Sequence, residues 1–335
     1  MTAIDSTQFQ QAASLLRSWR RPLVVTHERP DGDALGTVLA MRSILRRLGS
    51  APLAMLFDPA PTPYGFLTEN DPLPIFGQEV GGTDLGSVDG VLILDTCAYA
   101  QLTPLADWLR ASSLPRIAVD HHVTRDLPAN AYLVDTDAAA AALILYDWAR
   151  ALDWPLDDDA LRGLFVGITT DTGWFAFGNT DGRALEAAAA LVRHGLDPHE
   201  LYVRIYQSER AAKVRLLGAA LETLELLDGG CVAAMHLTHT AFARCGAQSA
   251  DTEGIINEPL RIASVDVSVL FTESGDGLIR TSFRSKRHVD VAALAAAFGG
   301  GGHVNAAGAR IPGTLAEVKE RVLAKILTAL ETARN

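Results

Sequence analysis

The chain has 335 residues, of which 48% are hydrophobic and 21% are charged, proportions typical of a folded protein large enough for two domains. Its formal charge of −11 argues against long duplex DNA as a partner, because proteins hold duplex DNA largely through an excess of basic residues. No apolar run approaches the roughly 18 residues of a membrane span and the N-terminus is not signal-like, so we expect no membrane association and a cytoplasmic location.

The first half of the chain alternates between apolar strands and helices. Strands are predicted at 22–27, 90–95 and 116–120, and amphipathic helices at 33–48 and 157–168. Continuous apolar strands separated by helices predict a parallel sheet that is covered on both faces. Polar residues directly follow several of these strands, and open α/β sheets bind their ligands at that edge.

The second half has a different pattern. The stretch 185–227 is rich in Ala and Leu and is predicted to be helical. Strands at 266–271 and 278–285 flank Ser274-Gly275-Asp276-Gly277, which predicts a β-hairpin. A short helix is predicted at 289–298. These changes divide the chain into an N-terminal domain, 1–190, a helical connector, 191–227, and a C-terminal domain, 228–335.

His27, Asp31 and Asp33 lie within seven residues, in the predicted turn between the first strand and its helix. A turn brings such side chains together, and mixed carboxylate and imidazole ligands suit Mn²⁺, Fe²⁺, Co²⁺, Zn²⁺ or Mg²⁺. The alternative is structural, with Asp33 as the N-cap of the helix and His27 as a surface residue. These residues alone do not separate the two interpretations.

Two further strand ends carry the same residue types. Asp95 ends an apolar strand, where an aspartate is often only a turn residue. In Asp120-His121-His122, strand alternation sends the two rings in different directions, so one imidazole can bind a metal while the other faces substrate. Asp171 adds a carboxylate in a Thr- and Gly-rich segment. Carboxylates gathered at one edge repel one another unless cations lie between them, and a pair of metals roughly 3.5–4 Å apart is the common solution in phosphoryl chemistry.

A run of four glycines, Gly299 to Gly302, precedes His303 near the end of the chain. Such a run is costly in regular structure, and we interpret it as backbone that approaches a ligand closely, with free N–H groups that cradle an anion. A flexible linker is the alternative. A basic patch lies before it, and Arg284 is suited to a two-pronged grip on a phosphate. The patch consists of Arg280, Arg284, Lys286 and Arg287.

Taken together, these motifs resemble the DHH phosphoesterase superfamily. The N-terminal motifs are His27-x-x-Pro30-Asp31-Gly32-Asp33, Asp95, Asp120-His121-His122 and Asp171-Thr172-Gly173. Phe283-Arg284-Ser285 and Gly300-Gly301-Gly302-His303 are similar to its DHH-associated C-terminal domain. Size and motif form most resemble the NrnA-type subfamily of nanoRNases and 3′-phosphoadenosine 5′-phosphate phosphatases. The resemblance implies an α/β fold with a parallel-sheet DHH domain, a helical connector, a smaller C-terminal α/β domain and an active site in the cleft between the domains.

The resemblance also implies a role for each residue. One metal would be held by His27, Asp31 and Asp95. The other would be held by Asp33, Asp95, His121 and Asp171. Manganese is the usual ion, with Mg²⁺ or Co²⁺ as alternatives. His122 and Asp120 would be catalytic. Substrate would be bound by Arg284, Ser285, Gly300, Gly301, Gly302 and His303.

An enzyme of this subfamily is implied to degrade RNAs of about two to five nucleotides to 5′-mononucleotides by two-metal hydrolysis, and to convert 3′-phosphoadenosine 5′-phosphate to AMP. Its partners would be short RNA oligonucleotides and nucleotides. Two alternatives remain: a phosphodiesterase of cyclic dinucleotides or their linear products, and a non-catalytic nucleotide sensor, which should lack metal ligands. The sequence leaves open the native metal, the polarity of cleavage, the ranking of substrates and whether the chain forms a homodimer.

Overall fold

The structure is a computed structural model that describes residues 4–274, 277–286 and 289–334. The hairpin residues Gly275 and Asp276 and the basic residue Arg287 lie outside the described residues. The chain forms two compact units that divide between Ser208 and Glu209. Among the helices of the described ranges, none combines the length and the apolar character needed to cross a bilayer.

The first unit contains a five-stranded sheet in which every pair of neighbouring strands is parallel, as predicted. In chain order the strands are β1 (Pro22–Val25), β2 (Leu53–Ala54), β3 (Gly90–Leu94), β4 (Arg116–Asp120) and β5 (Ala131–Val134), and their order in the sheet is β2-β1-β3-β4-β5. The helices are α1 (Ser6–Leu16), α2 (Gly32–Arg47), α3 (Ala106–Ala111), α4 (Ala141–Ala151), α5 (Asp158–Asp171), α6 (Gly182–Arg193) and α7 (Pro198–Tyr206). Short 3₁₀ helices lie at Thr62–Leu67, Asp84–Ser87, Tyr99–Gln101 and Thr103–Leu105.

Both faces of this sheet are buried. Val24 and Leu92 point to the core beneath α2, α4 and α5. Their neighbours Leu23 and Val91 point to a second core on the opposite face, where Leu109 of α3 packs. Burial on both faces explains why the strands read as continuous apolar runs, since neither set of alternating side chains meets water.

Helices α2 and α5 pack backbone against backbone. A Cβ atom on Gly36 would lie 2.3 Å from the carbonyl oxygen of Gly163, and one on Gly163 would lie 2.4 Å from the carbonyl oxygen of Gly36. A Cβ atom on Gly32 would likewise meet the side chain of Thr170. This contact brings the start of α2 beside the end of α5, so the motifs at these two helix ends meet in space.

The second unit contains a mixed six-stranded sheet with the order β10-β11-β9-β8-β7-β6. The strands are β6 (Glu225–Leu227), β7 (Val232–Leu237), β8 (Val267–Glu273), β9 (Leu278–Ser285), β10 (Gly301–His303) and β11 (Ala306–Pro312). The helices are α8 (Ala211–Leu221), α9 (His239–Cys245), α10 (Val291–Ala296) and α11 (Leu315–Arg334), with 3₁₀ helices at Asp228–Gly230, Ser249–Thr252 and Ile255–Arg261. The β8 and β9 strands pair in antiparallel register, which confirms the predicted pairing.

The two faces of the second sheet differ in what covers them. On the first face, Phe271 and Phe283 pack with Val322 of α11. On the second face, Met235 and Leu270 form a smaller core with residues of α8, α9 and Ile255–Arg261. This smaller core includes residues of β7 and β8 and none from the described parts of β9, β10 or β11.

The structure can be compared with the predicted connector and with one predicted helix end. The segment 191–227, predicted as a connector, holds the end of α6, all of α7 and α8, and strand β6, and the division between the units falls inside it. The domain boundaries at 190 and 227 remain predictions. Helix α5, predicted to end at Ile168, continues to Asp171, so this aspartate belongs to the helix rather than to a loop after it.

We expect Gly36→Ala to lower the thermal stability of the protein, because an added methyl group must separate α2 from α5. Overpacking of this kind costs about 1–3 kcal/mol. Calorimetry should show a lower melting temperature. The control is Gly218→Ala, in α8, where no atom lies within 4 Å of an added Cβ. That change should leave the melting temperature unchanged or raise it, since Ala is the better helix former. Equal effects of the two substitutions would contradict the close-packing explanation.

Candidate metal centre

The carboxyl edge of the first sheet gathers the predicted metal ligands. His27 lies two residues beyond β1, Asp95 directly follows β3, and His121 directly follows β4. Asp95 adopts φ +59°, in the left-handed region that is uncommon for a residue other than glycine, and its N–H donates to the carbonyl oxygen of Val119 at 2.8 Å. Backbone strain of this kind is found where a functional side chain must be held in one place.

Asp95 stands at the centre of the cluster and is only 1% exposed. One carboxylate oxygen, Oδ2, lies 3.4 Å from Nε2 of His27. The other, Oδ1, lies 3.4 Å from Nε2 of His121. The same His121 nitrogen lies 3.3 Å from Oδ2 of Asp171. A single buried carboxylate therefore links two groups of potential ligands.

Donor atoms that could hold a metal ion form three groups among the described residues, with the atoms of each group within 4.8 Å of one another. The groups are His27, Asp31 and Asp95; Asp33, His121 and Asp171; and Asp95, His121 and His122. The buried Oδ1 atom of Asp95 receives no hydrogen bond from the described residues. A buried, unsatisfied carboxylate oxygen among imidazole and carboxylate donors fits a divalent cation.

Backbone groups fix Asp33, which is fully buried. Its Oδ2 accepts the N–H of Ala141 at 2.6 Å, and its Oδ1 accepts the N–H of Ala142 at 2.9 Å. The hydroxyl of Thr37 also donates to Oδ1. Because Ala140 at the N-cap of α4 has no capping side chain, Asp33 satisfies the first N–H groups of that helix.

The structural alternative for Asp33 is wrong. The residue that caps α2 is Asp31, whose Oδ1 accepts the N–H of Ala34 at 3.0 Å. Asp33 lies inside the first turn of the helix, with its carboxylate held by α4. The two carboxylates of the motif therefore have different local roles, although both are potential metal ligands.

The two adjacent histidines make different contacts. Nδ1 of His121 lies 3.2 Å from the carbonyl oxygen of Ala138, which leaves its Nε2 for Asp95 and Asp171. Nδ1 of His122 lies 2.8 Å from Oδ1 of the fully buried Asp120. The side chain of His122 is 45% exposed, against 16% for His121. One imidazole thus belongs to the buried cluster, and the other reaches solvent beside it.

Burial and mutual repulsion change the pKa values in this cluster. Burial, together with the charge of Asp95, raises the pKa of Asp33 well above its usual value. Burial and neighbouring carboxylates raise the pKa of Asp171 to about 7. Burial alone would lower the pKa of the two histidines, but contacts with Asp95 outweigh it and raise the pKa of His27 to about 9 and that of His121 to about 10. Without metal, the cluster therefore retains protons that offset its negative charge.

The predicted substrate residues lie together in the second unit. Arg284 of β9 pairs with Ala306 of β11, which pairs with His303 of β10, so the three residues share one face of the sheet. Nη1 of Arg284 donates to the carbonyl oxygen of Phe283, and Arg284 makes no ion pair with any described residue. Burial lowers the pKa of its half-buried guanidinium. An anionic ligand could form an ion pair with the guanidinium of Arg284.

The glycine run of the second unit differs from expectation. The N–H groups of Gly299 and Gly300 are not free, because they donate to the carbonyl oxygens of Ala296 and Ala295. Gly300 and Gly302 instead allow backbone contact with β11: added Cβ atoms would lie 2.1 Å and 2.5 Å from the nearest backbone atoms of that strand. Gly301 has no atom within 4 Å of an added Cβ. Strand pairing therefore requires glycine at Gly300 and Gly302, and binding of an anion by the run stays a prediction.

Ser285 also differs from its predicted role. Its hydroxyl is buried and donates to the carbonyl oxygen of Val289 at 2.8 Å. Strand alternation places it on the face opposite Arg284. The hydroxyl therefore fastens the end of β9 to the segment before α10.

Sequence reasoning missed the groups that orient the ligands. The backbone N–H groups of Ala141 and Ala142 and the carbonyl oxygen of Ala138 carry no residue-type signal. The contact of α2 with α5 did have a signal, since Gly32 and Gly36 are one helical turn apart, as are Gly163 and Gly167. Small residues at that spacing indicate a close helix contact.

Comparison with known proteins agrees with this geometry. Residues 21–168 match the DHH family, N-terminal domain, and residues 236–332 match the DHHA1 domain. Over 327 residues the chain is 30% identical to the bifunctional oligoribonuclease and PAP phosphatase NrnA of Thermus thermophilus, and the match covers 96% of this chain and 94% of that protein. The chain belongs to the DHH phosphoesterase superfamily, in its NrnA-type branch.

Further relatives extend the similarity. The Bacillus subtilis protein of the same description is 27% identical over 85% of this chain and 87% of its own length. Among solved structures, an exopolyphosphatase-related protein from Bacteroides fragilis has a TM-score of 0.87 and 21% identity, covering 99% of this chain and 98% of that chain, which shows a shared fold. As a DHH phosphoesterase, the protein is a hydrolase.

We expect Mn²⁺ to displace protons when it binds. In the metal-free protein, His27 and His121 keep their protons up to pKa values of about 9 and 10, whereas in the unfolded chain they lose them near 6.5. The stability contributed by these raised pKa values is complete below about pH 6.5 and is lost as the pH rises toward 9–10. Metal binding should therefore release protons at about pH 7.5 and tighten with rising pH.

Calorimetric titration with Mn²⁺ in two buffers of different ionisation enthalpy would count the released protons. The count should fall in His27→Gln. It should be unchanged in His194→Gln, which alters an exposed imidazole at the end of α6. If the unaltered protein released almost no protons on binding Mn²⁺, the expectation that His27 and His121 are protonated before the metal binds would be wrong.

Proposed function

We propose that the protein hydrolyses RNAs of about two to five nucleotides to 5′-mononucleotides with the aid of two divalent metal ions. We also propose that it converts 3′-phosphoadenosine 5′-phosphate to AMP. The observation that carries the proposal is Asp95, whose two oxygens face His27 and His121 in two adjoining ligand groups. The names of the relatives in Thermus thermophilus and Bacillus subtilis support both activities.

The donor groups support the metal ligands that the family resemblance implies. His27, Asp31 and Asp95 would hold one ion. Asp33, Asp95, His121 and Asp171 would hold the other. Manganese is the ion that we propose for both positions. Ions bound there supply Lewis acidity toward phosphoryl oxygens and lower the pKa of a bound water. The protein's own contribution is to hold its ligands in place through backbone contacts such as those of Asp33 with Ala141 and Ala142.

His122 is the group that we propose as general acid. The carboxylate of Asp120 lies 2.8 Å from Nδ1 of His122 and also accepts the N–H of the same residue at 3.1 Å. The hydrogen bond that the Asp120 carboxylate accepts from the His122 ring raises the pKa of His122, which favours the protonated ring. With Nδ1 held by Asp120, Nε2 is the nitrogen that can give a proton to the leaving oxygen.

The second unit would supply substrate binding. The guanidinium of Arg284 can pair with a phosphate through two parallel hydrogen bonds, and His303 lies on the same face of the sheet. The active site in a cleft between domains, and a homodimeric state, remain predictions of the sequence.

The proposed function is tested by digestion of 5′-labelled RNAs of two to about twenty-four nucleotides in Mn²⁺. The expected result is fast loss of the shortest RNAs, turnover of 3′-phosphoadenosine 5′-phosphate and little loss of the longest strands. Asp95→Asn should lower the rate by more than about 100-fold. Mutation of a residue that only hydrogen-bonds to a metal ligand already lowers metal affinity or activity by typically 10–100-fold. Asp107→Asn, at a fully exposed carboxylate of α3, is the matched control.

Three results would redirect the assignment. Turnover of a cyclic dinucleotide without turnover of short RNA would indicate second-messenger breakdown. Preference for the longest strands would indicate a different nuclease. Binding of nucleotides without any turnover would indicate a sensor.

We expect the effect of His122→Ala to depend on the leaving group. If His122 protonates the leaving oxygen, the variant should lose about 10²–10⁴-fold in kcat on RNA. It should lose far less on a nucleoside 5′-phosphate p-nitrophenyl ester, because p-nitrophenolate leaves without a proton. Manganese affinity, measured by titration, should change little. An equal loss on both substrates would exclude the general-acid role.

A further inference from the structure

Three aromatic residues follow the candidate ligand Asp171 at the end of α5, and their environments differ. Trp174 and Phe175 are partly buried and pack against the core of the first unit. The ring of Trp174 makes an edge contact with the ring of Phe165, with 5.8 Å between the centroids. Phe177, in contrast, is 60% exposed. Single exposed aromatic residues are common in proteins, so the role of Phe177 depends on how its ring is held and where it lies.

The backbone just beyond α5 is strained. Gly173, Trp174 and Phe175 have φ values of +55°, +56° and +66°. A positive φ is an outlier for side chains as bulky as those of Trp and Phe, and such strain persists where the surrounding structure fixes a functional position. The N–H of Phe177 donates to the carbonyl oxygen of Thr172 at 2.9 Å. The chain therefore turns back on itself, and Phe177 returns to the end of α5.

The ring of Phe177 lies flat against Gly173. A Cβ atom on Gly173 would lie 2.5 Å from Cε1, 2.5 Å from Cζ and 2.7 Å from Cδ1 of this ring. Three consecutive ring atoms are almost equally far from a nearby point when that point lies over the face of the ring, whereas a point at the edge is much closer to the middle atom. The backbone of Gly173 therefore covers one face of the ring, and the exposed surface of Phe177 lies mainly on the opposite face.

The ring of Phe177 is fixed beside the candidate metal centre. Gly173, which carries the ring, is two residues beyond Asp171, so the Cα atoms of these two residues are at most about 7 Å apart. Asn179 ties the same segment to the centre, because its Nδ2 donates to the carbonyl oxygens of Asp171 at 3.0 Å and Ala139 at 3.2 Å. The open face of an aromatic ring is therefore held a short distance from a potential metal ligand.

A nucleobase is the ligand that fits this arrangement. Bases stack on aromatic rings that have a free face, and this contact tolerates every base because each base has a π face. The side chains of Asp171 and His122 are partly exposed, so the metal centre is open to solvent. If the scissile phosphate lies at the metal ions, the base of an adjoining nucleotide is only one ribose away and can reach the ring of Phe177.

We propose that Phe177 is a stacking platform for the base of a nucleotide that flanks the scissile phosphate. This proposal rests on the proposed function and deepens it, because it adds a base contact in the first unit to the phosphate contacts proposed for the second. The platform raises the affinity for nucleotides without selecting one base strongly over another. A phosphodiester that lacks the stacked base gains nothing from Phe177.

The test compares the kinetic constants of the Mn²⁺-loaded protein for a diribonucleotide and for two analogues that lack either its 5′ or its 3′ base. We expect Phe177→Ala to raise KM for the complete dinucleotide about 10-fold, as loss of one stacked base would, with little change in kcat. For the analogue that lacks the stacked base, KM should change less than about twofold. Phe177→Trp should retain the affinity, whereas Phe177→Leu, which keeps an apolar side chain without a π face, should lose most of it.

The control is Leu48→Ala, which removes an exposed apolar side chain at the opposite end of α2 from Asp33, roughly 22 Å away along the helix axis. It should change KM equally little for the dinucleotide and for both analogues. An equal rise of KM in Phe177→Ala for the dinucleotide and for both analogues would show a structural effect on the site and would overturn the platform.

The fluorescence of 2-aminopurine separates this proposal from the proposed function, because stacking quenches this base and the measurement requires no cleavage. The probes are two dinucleotides with 2-aminopurine in the 5′ or the 3′ position, mixed with the protein by stopped flow in Mg²⁺, since Mn²⁺ is itself a quencher. Quenching of one probe that is lost in Phe177→Ala supports the platform, even if short RNA is not cleaved and the proposed function falls. Equal quenching of both probes by the unaltered protein and by Phe177→Ala, or none by either, would overturn the platform, even if short RNA is cleaved as proposed.

Discussion

Negative charge buried at one sheet edge is the constraint on which the first unit depends. Asp33 and Asp95 are almost completely buried, and burial disfavours the charged form of each. Two N–H groups of α4 satisfy Asp33, and two imidazoles lie against Asp95, yet one oxygen of Asp95 has no hydrogen-bond donor among the described residues. Protons can offset the remaining charge, as the raised pKa of Asp171 indicates. Divalent cations between the carboxylates would offset it more completely.

One face of the sheet in the second unit carries local positive charge. Its β9 strand places Arg280 and Arg284 on one face, within a chain whose net charge is −11. A local group of guanidiniums in an acidic protein attracts a short anion without giving long duplex DNA an extended basic surface. The proposed function therefore assigns chemistry and substrate affinity to different units. Buried acids of the first unit would hold metal ions, and guanidinium groups of the second would bind phosphates.

The clustering of the candidate metal ligands could be predicted because residue type and strand ends carry the signal. His27, Asp95 and His121 follow apolar runs, and the carboxyl ends of parallel strands must share an edge. The capping carboxylate of Asp31 could not be distinguished from the buried carboxylate of Asp33, because the partners of Asp33 are backbone groups of α4, more than 100 residues away. The position of Arg310 opposite Arg280 could not be predicted from the sequence either, because it depends on the register of β9 against β11.

The glycine run shows how a local motif can act through strand pairing. Gly300 and Gly302 lie so close to β11 that a side chain at either position would strike its backbone. With glycine at these two positions, β10 can pair with β11, and His303 lies opposite Ala306. Ala306 in turn lies opposite Arg284 of β9. Any side chain at Gly302 would push β10 away and move the imidazole out of register with the guanidinium. The glycines are thus required for the face that carries Arg284 and His303, because they allow β10 to pair with β11 and place His303 opposite Ala306, the strand partner of Arg284.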